Sequence, residues 1–289
     1  DRVFEWVNTL IMIVIVLIML YPLYFIVIAS FSEPYDVAKG NVVLLPRGFT
    51  LEAYQSVFQE KLIWTGYRNT IFYTFFGTLY NLATLIPAAY VLSKKSLPGR
   101  TALSWFFFIT MYFGGGMIPT FLLINNLGLY NTRLALIIPG AVGIWNIILT
   151  RTYFSSLPNE LSEAAFIDGA TNYQVLFRIF VPLAKPIIAV IAIYTIVGVW
   201  NSWFGANIYQ TKTELHPLQM YLQRVLISQS VDLNKLKTKE EIEQAREVAL
   251  GAQQLKYALI VFITLPILFI YPMFQKQFMK GIMLGSLKG

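Results

Sequence analysis

Cysteine is absent from the 289 residues, which excludes disulfides and thiolate-ligated metals. Histidine occurs once, at His216 ahead of Pro217 in a polar stretch, so neither a histidine metal centre nor a histidine-based triad is expected. No G-x-x-x-x-G-K-[ST] phosphate loop is present, so the chain is not expected to bind and hydrolyse ATP itself. The run Gly114-Gly115-Gly116 lacks the Lys and Ser/Thr of such a loop and reads instead as a flexible break in a membrane helix. Charge is scarce as well, at 13% of residues, where soluble domains carry roughly a quarter. Apolar residues make up 56% of the chain, and the charges are segregated, leaving long runs with none.

Those runs set the fold class. A helix needs about 20 apolar residues to cross the hydrocarbon core. Six candidates are free of Asp, Glu, Lys and Arg: Val7–Phe31, Asn69–Leu92, Leu103–Asn126, Leu134–Thr150, Ile187–Tyr209 and Tyr257–Gln275. The sequence therefore predicts an all-α membrane protein with six transmembrane helices. Glycines and Pro119 interrupt the third run, and the fourth is short. The first is too long for a signal peptide and reads as a span. The chain begins at Asp1 and not Met, so a few native residues are expected to precede it. The loop Ser93–Arg100 holds Lys94, Lys95 and Arg100 with no acid, and the segment after Phe274 holds Lys276, Lys280 and Lys288, again with no acid. By the positive-inside rule both face the cytoplasm, with both termini. The net charge of +7 is then the signature of span-flanking basic residues meeting anionic membrane lipid, not of nucleic-acid binding.

This divides the chain into a first span with its outer loop (1–68), a core of five spans (69–275) and a cytoplasmic tail (276–289). The outer loops, Ser32–Arg68 and Gln210–Lys256, carry helical patterns. Thr50 is placed to cap a helix starting near Glu52. Thr238-Lys239-Glu240-Glu241 fits a capping box, with Ile242, Ala245 and Ala249 on one face and Gly251 to end the helix. That helix reads as a lid on its own protein or a dock for a partner.

No predicted span contains an acid, which counts against proton coupling; sodium coupling through backbone carbonyls stays open. No cluster of acid, base and nucleophile lies near a span. The spans make a path with no evident engine, which points to a subunit driven by a partner.

One polar segment interrupts the apolar chain between the fourth and fifth spans. Pro158–Gly169 reads as a short surface helix, with Asn159 or Ser156 as its cap and acids in its first turns. Gly169 permits a sharp turn. A second helical piece follows, with Val175, Leu176, Ile179 and Phe180 in a stripe, and Pro182 and Pro186 punctuate the entry to the next span. Ala164 and Ala165 allow close approach of another surface, and Glu163 offers it a carboxylate.

The segment resembles the EAA loop of ABC importer permeases. Glu163-Ala164-Ala165, Gly169, Ile179 and Pro182 match its spacing, with Val181 where that family usually has Leu. Ser30-Phe31-Ser32, Arg68-Asn69-Thr70, Trp200-Asn201 and the tail from Phe278 to Gly289 resemble the carbohydrate-importer branch, on the side of the six-span maltose permease subunit. Gly114–Thr120 and Asn126–Leu129 resemble a Gram-positive subgroup associated with complex saccharides and polysaccharide fragments.

The resemblance implies the type I ABC importer permease fold in a bacterial cytoplasmic membrane, importing oligosaccharides or glycan fragments. An ABC importer for another solute such as peptides, or a self-sufficient channel or secondary transporter, is the alternative. It implies an EAA helix docking on a cytoplasmic ATPase through Glu163, Ala164 and Ala165, with Asp168, Gly169, Ile179 and Pro182 in the same matched stretch. Lys280 and Gly281 in the tail are expected to reach the ATPases. The implied partners are a second related permease, two ATPases that hold the ATP and Mg, and an extracellular sugar-binding lipoprotein; no cofactor is expected on this chain. Trp200, Asn201, Trp203 and Asn207 supply aromatic faces and amides suited to a sugar path, although Trp near a membrane interface also serves as an anchor.

Overall fold

The computed structural model describes residues 2–228 and 239–286, and every regular element among them is helical. In chain order these are α1 (Arg2–Ser30), α2 (Pro34–Ala38), α3 (Glu52–Gln59), α4 (Lys61–Ser93), α5 (Arg100–Tyr112) and α6 (Met117–Asn126). There follow α7 (Leu134–Ile137), α8 (Ile144–Ser155), α9 (Glu160–Ile167), α10 (Asn172–Val175), a π-helical turn (Leu176–Phe180) and α11 (Val181–Leu183). The chain continues through α12 (Lys185–Trp200), α13 (Phe204–Tyr209), a 3-10 turn (Thr213–Leu215), α14 (Leu218–Ser228) and α15 (Lys239–Ser286). Two compact units result: Asp1–Trp64 with Leu218–Pro266, and Thr65–Pro217 with Ile267–Gly289.

In the first unit, α1 is an uninterrupted apolar helix, the form that satisfies every backbone N–H within one segment in lipid. Only Ile28, Ala29 and Ser30 of its residues are buried. There it meets a small core of Val37 and Val42, flanked by Phe25 and Tyr257. The tripeptide Ser30-Phe31-Ser32 is a structural hub. The Ser30 hydroxyl pairs with the Tyr54 hydroxyl at 2.8 Å, and Ser32 Oγ donates to the Ile28 carbonyl at 2.6 Å and accepts the Arg47 N–H at 3.2 Å. Gln254 Nε2 donates to the Ser32 carbonyl at 2.8 Å, and Phe31 stacks between Phe49 and Tyr54. The cap of α3 shifts by one residue from expectation: Leu51 holds the cap position, and the Thr50 hydroxyl accepts the Glu52 N–H at 3.3 Å.

The anticipated capping residue Thr238 lies outside the described residues. Gly251 does not end a helix; α15 passes through it. Glycine in a helix interior costs only about 1 kcal/mol, and the apolar stretch that follows carries the helix on.

Among the described residues, three helical segments are long and apolar enough to cross a membrane: Arg2–Ser30, Lys61–Ser93 and Ala249–Ile270. Counting two bent pairs as single crossings brings the number to five. The first pair, α5 and α6, bends by 111° at Gly114-Gly115-Gly116, where the sequence anticipated a break. The second bends by 80° between Asn172–Leu183 and Lys185–Trp200. The run Leu134–Thr150, expected as one span, is not a single helix: it is split into α7 and α8 by residues 138–143. Pro139, Gly140 and Gly143 weaken the helix there. Two side chains of α4 then take up a freed carbonyl: Asn81 Nδ2 and Thr84 Oγ1 both donate to Ala141 O, at 2.9 and 3.0 Å. Thr195 Oγ1 donates to Asn81 Oδ1 at 3.3 Å and orients that amide. Ile187–Tyr209 likewise falls into two helices, α12 and α13, separated at 201–203. The core of the second unit gathers Leu85, Ala89 and Tyr90 of α4, Phe154 of α8, and Val175, Leu176 and Phe180 after the polar segment.

Candidate functional site

Helix α9 carries Glu163, Ala164 and Ala165. Asn159 holds the cap position, as anticipated, but makes no side-chain cap bond, and the Ser156 hydroxyl donates to Tyr153 O at 2.8 Å. Instead the Asn159 carbonyl accepts from Ser162 and Glu163 N–H, and the buried Ser162 hydroxyl donates to it at 2.8 Å. Glu160 and Glu163 occupy the first turn, where the helix dipole favours acids.

The other end is closed by a Schellman motif. Gly169 sits at φ 78°, its N–H donates to Phe166 O at 3.1 Å, and Ala170 N–H donates to Ala165 O at 2.9 Å. Thr171 then begins α10 with a capping box. The Gln174 N–H donates to the Thr171 hydroxyl at 3.4 Å, and Gln174 Oε1 accepts the Thr171 N–H at 2.8 Å. One glycine thus ends one helix two residues before the next begins, and this fixes the angle of α9.

The segment separates into two faces. Val175, Leu176 and Phe180 are buried and Ile179 packs beside them, so the stripe anchors the segment in the core. Glu163, Ala164 and Asp168 face outward, and Ile167, an isoleucine, is 86% exposed. The outer face of α9 thus presents carboxylates, one alanine and an uncovered isoleucine, while Ala165 is half-buried against the core. Pro182 follows the π-helical turn; its ring cannot coexist with a regular i−4 carbonyl, and the widened turn accommodates it.

Sequence reasoning missed a link between α9 and α4. Lys94, just beyond α4, places its ammonium over three rings: Tyr90 at 4.5 Å, Phe180 at 4.9 Å and Phe166 at 5.4 Å. Phe166 belongs to α9, so the cation ties that helix to the end of α4. Burial holds the Lys94 pKa below the ordinary lysine value. The signal was divided among residues far apart in sequence.

The four residues read as a sugar path cluster at the α12–α13 break without sharing an environment. Trp200 is buried, its ring edge-on to Tyr67 at 5.8 Å. Asn201 is exposed at the end of α12, Trp203 is half-buried and packs edge-on to Phe204, and Asn207 is exposed on α13. Lys280 and Gly281 lie on the last turns of α15.

A polar network around Asn69 and His216 also went unread. Asn69 Nδ2 donates to the carbonyls of Glu214 and His216 at 2.6 and 3.1 Å, and Arg133 Nη2 donates to Asn69 Oδ1 at 3.3 Å. The Tyr73 hydroxyl donates to Leu215 O at 2.7 Å, and the buried His216 ring pairs with Gln210 O at 3.0 Å. His216 is thus a packing residue. Among the described residues no three His, Cys, Asp or Glu side chains gather as metal ligands.

Comparison with known proteins places this geometry. Residues 63–284 match the family described as binding-protein-dependent transport system inner membrane component. The chain is 38% identical over 288 residues to protein LplC of Bacillus subtilis (strain 168), covering 100% of this chain and 96% of that one. It is 34% identical to the polygalacturonan/rhamnogalacturonan transport system permease protein YtcP of the same organism, covering 100% and 99%. Among solved structures it is similar, at TM-score 0.83 and 37% identity over 96% of both chains, to a chain of a bacterial ABC transporter involved in the import of the acidic polysaccharide alginate.

Proposed function

The chain belongs to the family of binding-protein-dependent transport system inner membrane components, and from that premise we propose that it is one half of the translocation path of an ATP-driven importer of oligosaccharides or glycan fragments. It is a multi-pass protein of the cytoplasmic membrane, the permease subunit and not the ATPase. The observation that carries the cargo class is the likeness, over almost the whole chain, to permeases of polygalacturonan and alginate import. Those relatives favour neither a peptide importer nor a self-sufficient channel.

In this reading the chain crosses the membrane six times with both termini in the cytoplasm, and the α7–α8 and α12–α13 breaks fall within crossings. A second, related permease completes the path, and a sugar-binding lipoprotein delivers cargo from outside. Two cytoplasmic ATPases hold the ATP and Mg. The exposed face of α9 docks on one of them: Glu163 meets a basic group, and Ala164 and Ala165 let the surfaces approach. Asp168, Gly169, Ile179 and Pro182 hold the angle of that helix, and Lys280 and Gly281 reach towards the ATPases. ATP-driven closure moves α9 and biases the path between two states through differential binding at a distant surface. Asn201 and Asn207 face the cargo, with Trp203 beside them and Trp200 packed behind. Copurification from the native membrane tests the assembly: a second permease and an ATPase are expected in stoichiometric amounts, and isolation of this chain alone as a transport-competent unit overturns it.

A further inference from the structure

A second candidate site lies at the start of α5 and the end of α8. An open cavity of about 430 Å³ there is lined by Arg100, Thr101, Ser104, Trp105, Trp145 and Arg151, among others. The two arginines come from different helices yet are close enough for the Arg100 charge to act on Arg151. The Ser104 hydroxyl links the Arg151 side chain to the backbone of α5. Arg151 Nη1 donates to Ser104 Oγ at 3.3 Å, and that hydroxyl donates to the Arg100 carbonyl at 2.7 Å. Arg100 Nε donates to Leu92 O at 2.8 Å, which pins one edge of its fork.

No carboxylate pairs with either guanidinium among the described residues. Two like charges held side by side at a membrane protein's edge cost free energy that a bound anion recovers. Planar guanidinium forks are matched to carboxylates, which they grip through two parallel bonds. The remaining lining narrows the anion further. Trp105 and Trp145 are 58% and 60% exposed and border the same cavity. A flat indole fits the CH-lined face of a pyranose ring, while the Ser104 and Thr101 hydroxyls suit ring hydroxyls. A ligand with an apolar ring face, hydroxyls and carboxylates is a glycan of uronic acids.

We propose that the Arg100–Arg151 cavity is a subsite for a carboxylated sugar residue of the cargo. The proposal rests on the glycan-import reading and narrows it to acidic glycans. Uronate chains would be held at the pair, and neutral glycans would not.

The test uses the complete transporter, with both permeases, the ATPases and the binding protein, in nanodiscs of phosphatidylcholine. Trigalacturonate and its uncharged counterpart galactotriose are titrated against tryptophan fluorescence, and uptake of each is followed in proteoliposomes. Trigalacturonate is expected to quench and galactotriose not to; Arg151→Gln should weaken trigalacturonate binding by about tenfold or more. Arg151→Lys, which keeps the charge and loses the fork, should fall between. Each variant is compared only if it copurifies with its partners in normal amounts, and Trp145→Leu provides a second route should Arg100 variants fail to assemble. Unchanged trigalacturonate affinity in Arg151→Gln overturns the subsite. So does quenching by phosphatidylglycerol with none by trigalacturonate, which makes the pair a lipid headgroup site. If galactotriose is imported and trigalacturonate is not, the subsite falls and glycan import stands; if no saccharide is imported, the broader reading falls.

Discussion

Gly169 and Glu163 have different parts in the coupling role proposed for α9. Gly169 adopts φ 78°, and a Cβ there would meet nothing within 4 Å, so its substitution strains the backbone without a clash. Gly169→Ala is expected to cost about 1–2 kcal/mol at that residue and to loosen the end of α9. Uptake per transporter should fall while membrane abundance holds. Glu163 is exposed, and its carboxylate holds no other side chain among the described residues. Glu163→Lys should therefore leave insertion intact, weaken ATPase association and stop uptake; normal uptake by this variant removes the coupling role. The glycine stop and the apolar stripe behind it were legible because each depends on residues close in sequence. The Thr171–Gln174 capping box was equally legible as Thr-x-x-Gln and was passed over. Asn159 does stand at the cap position, yet a residue type suited to capping does not guarantee the side-chain bond. Lys94 was not legible, because its three rings come from 90, 166 and 180.

At the scale of elements, the lesson lies in the run from Leu134 to Thr150. It contains no charged residue and has the length of a short span, so hydropathy reads it as one helix. Hydropathy carries no record of which carbonyls another helix will satisfy, and here Asn81 and Thr84 of α4 make the break affordable. The Gly114–Gly116 break was visible because three consecutive glycines need no distant partner to disrupt a helix. Asn81→Leu removes a buried donor from Ala141 O, and the loss is expected to cost about 1–3 kcal/mol. A lower melting temperature in detergent is the expected result, whereas an unchanged one would show that Thr84 suffices.

For the whole molecule, the proposed orientation rests on a few basic residues in short loops. The absence of cysteine makes it directly measurable, since any thiol introduced is the sole thiol. Ser96→Cys, in the loop after α4, should react with a membrane-impermeant maleimide only in inside-out vesicles. Leu45→Cys, 72% exposed before α3, should react only in right-side-out ones. The opposite pattern reverses the topology. Helix α1 has a separate consequence. It is buried only where Ile28, Ala29 and Ser30 meet their own core, and the family match begins at residue 63, beyond it. Leu, Ile, Val, Met and Phe are nearly interchangeable in contact with lipid tails. Exchange among these residues along most of α1 is therefore expected to leave the stability of the fold almost unchanged.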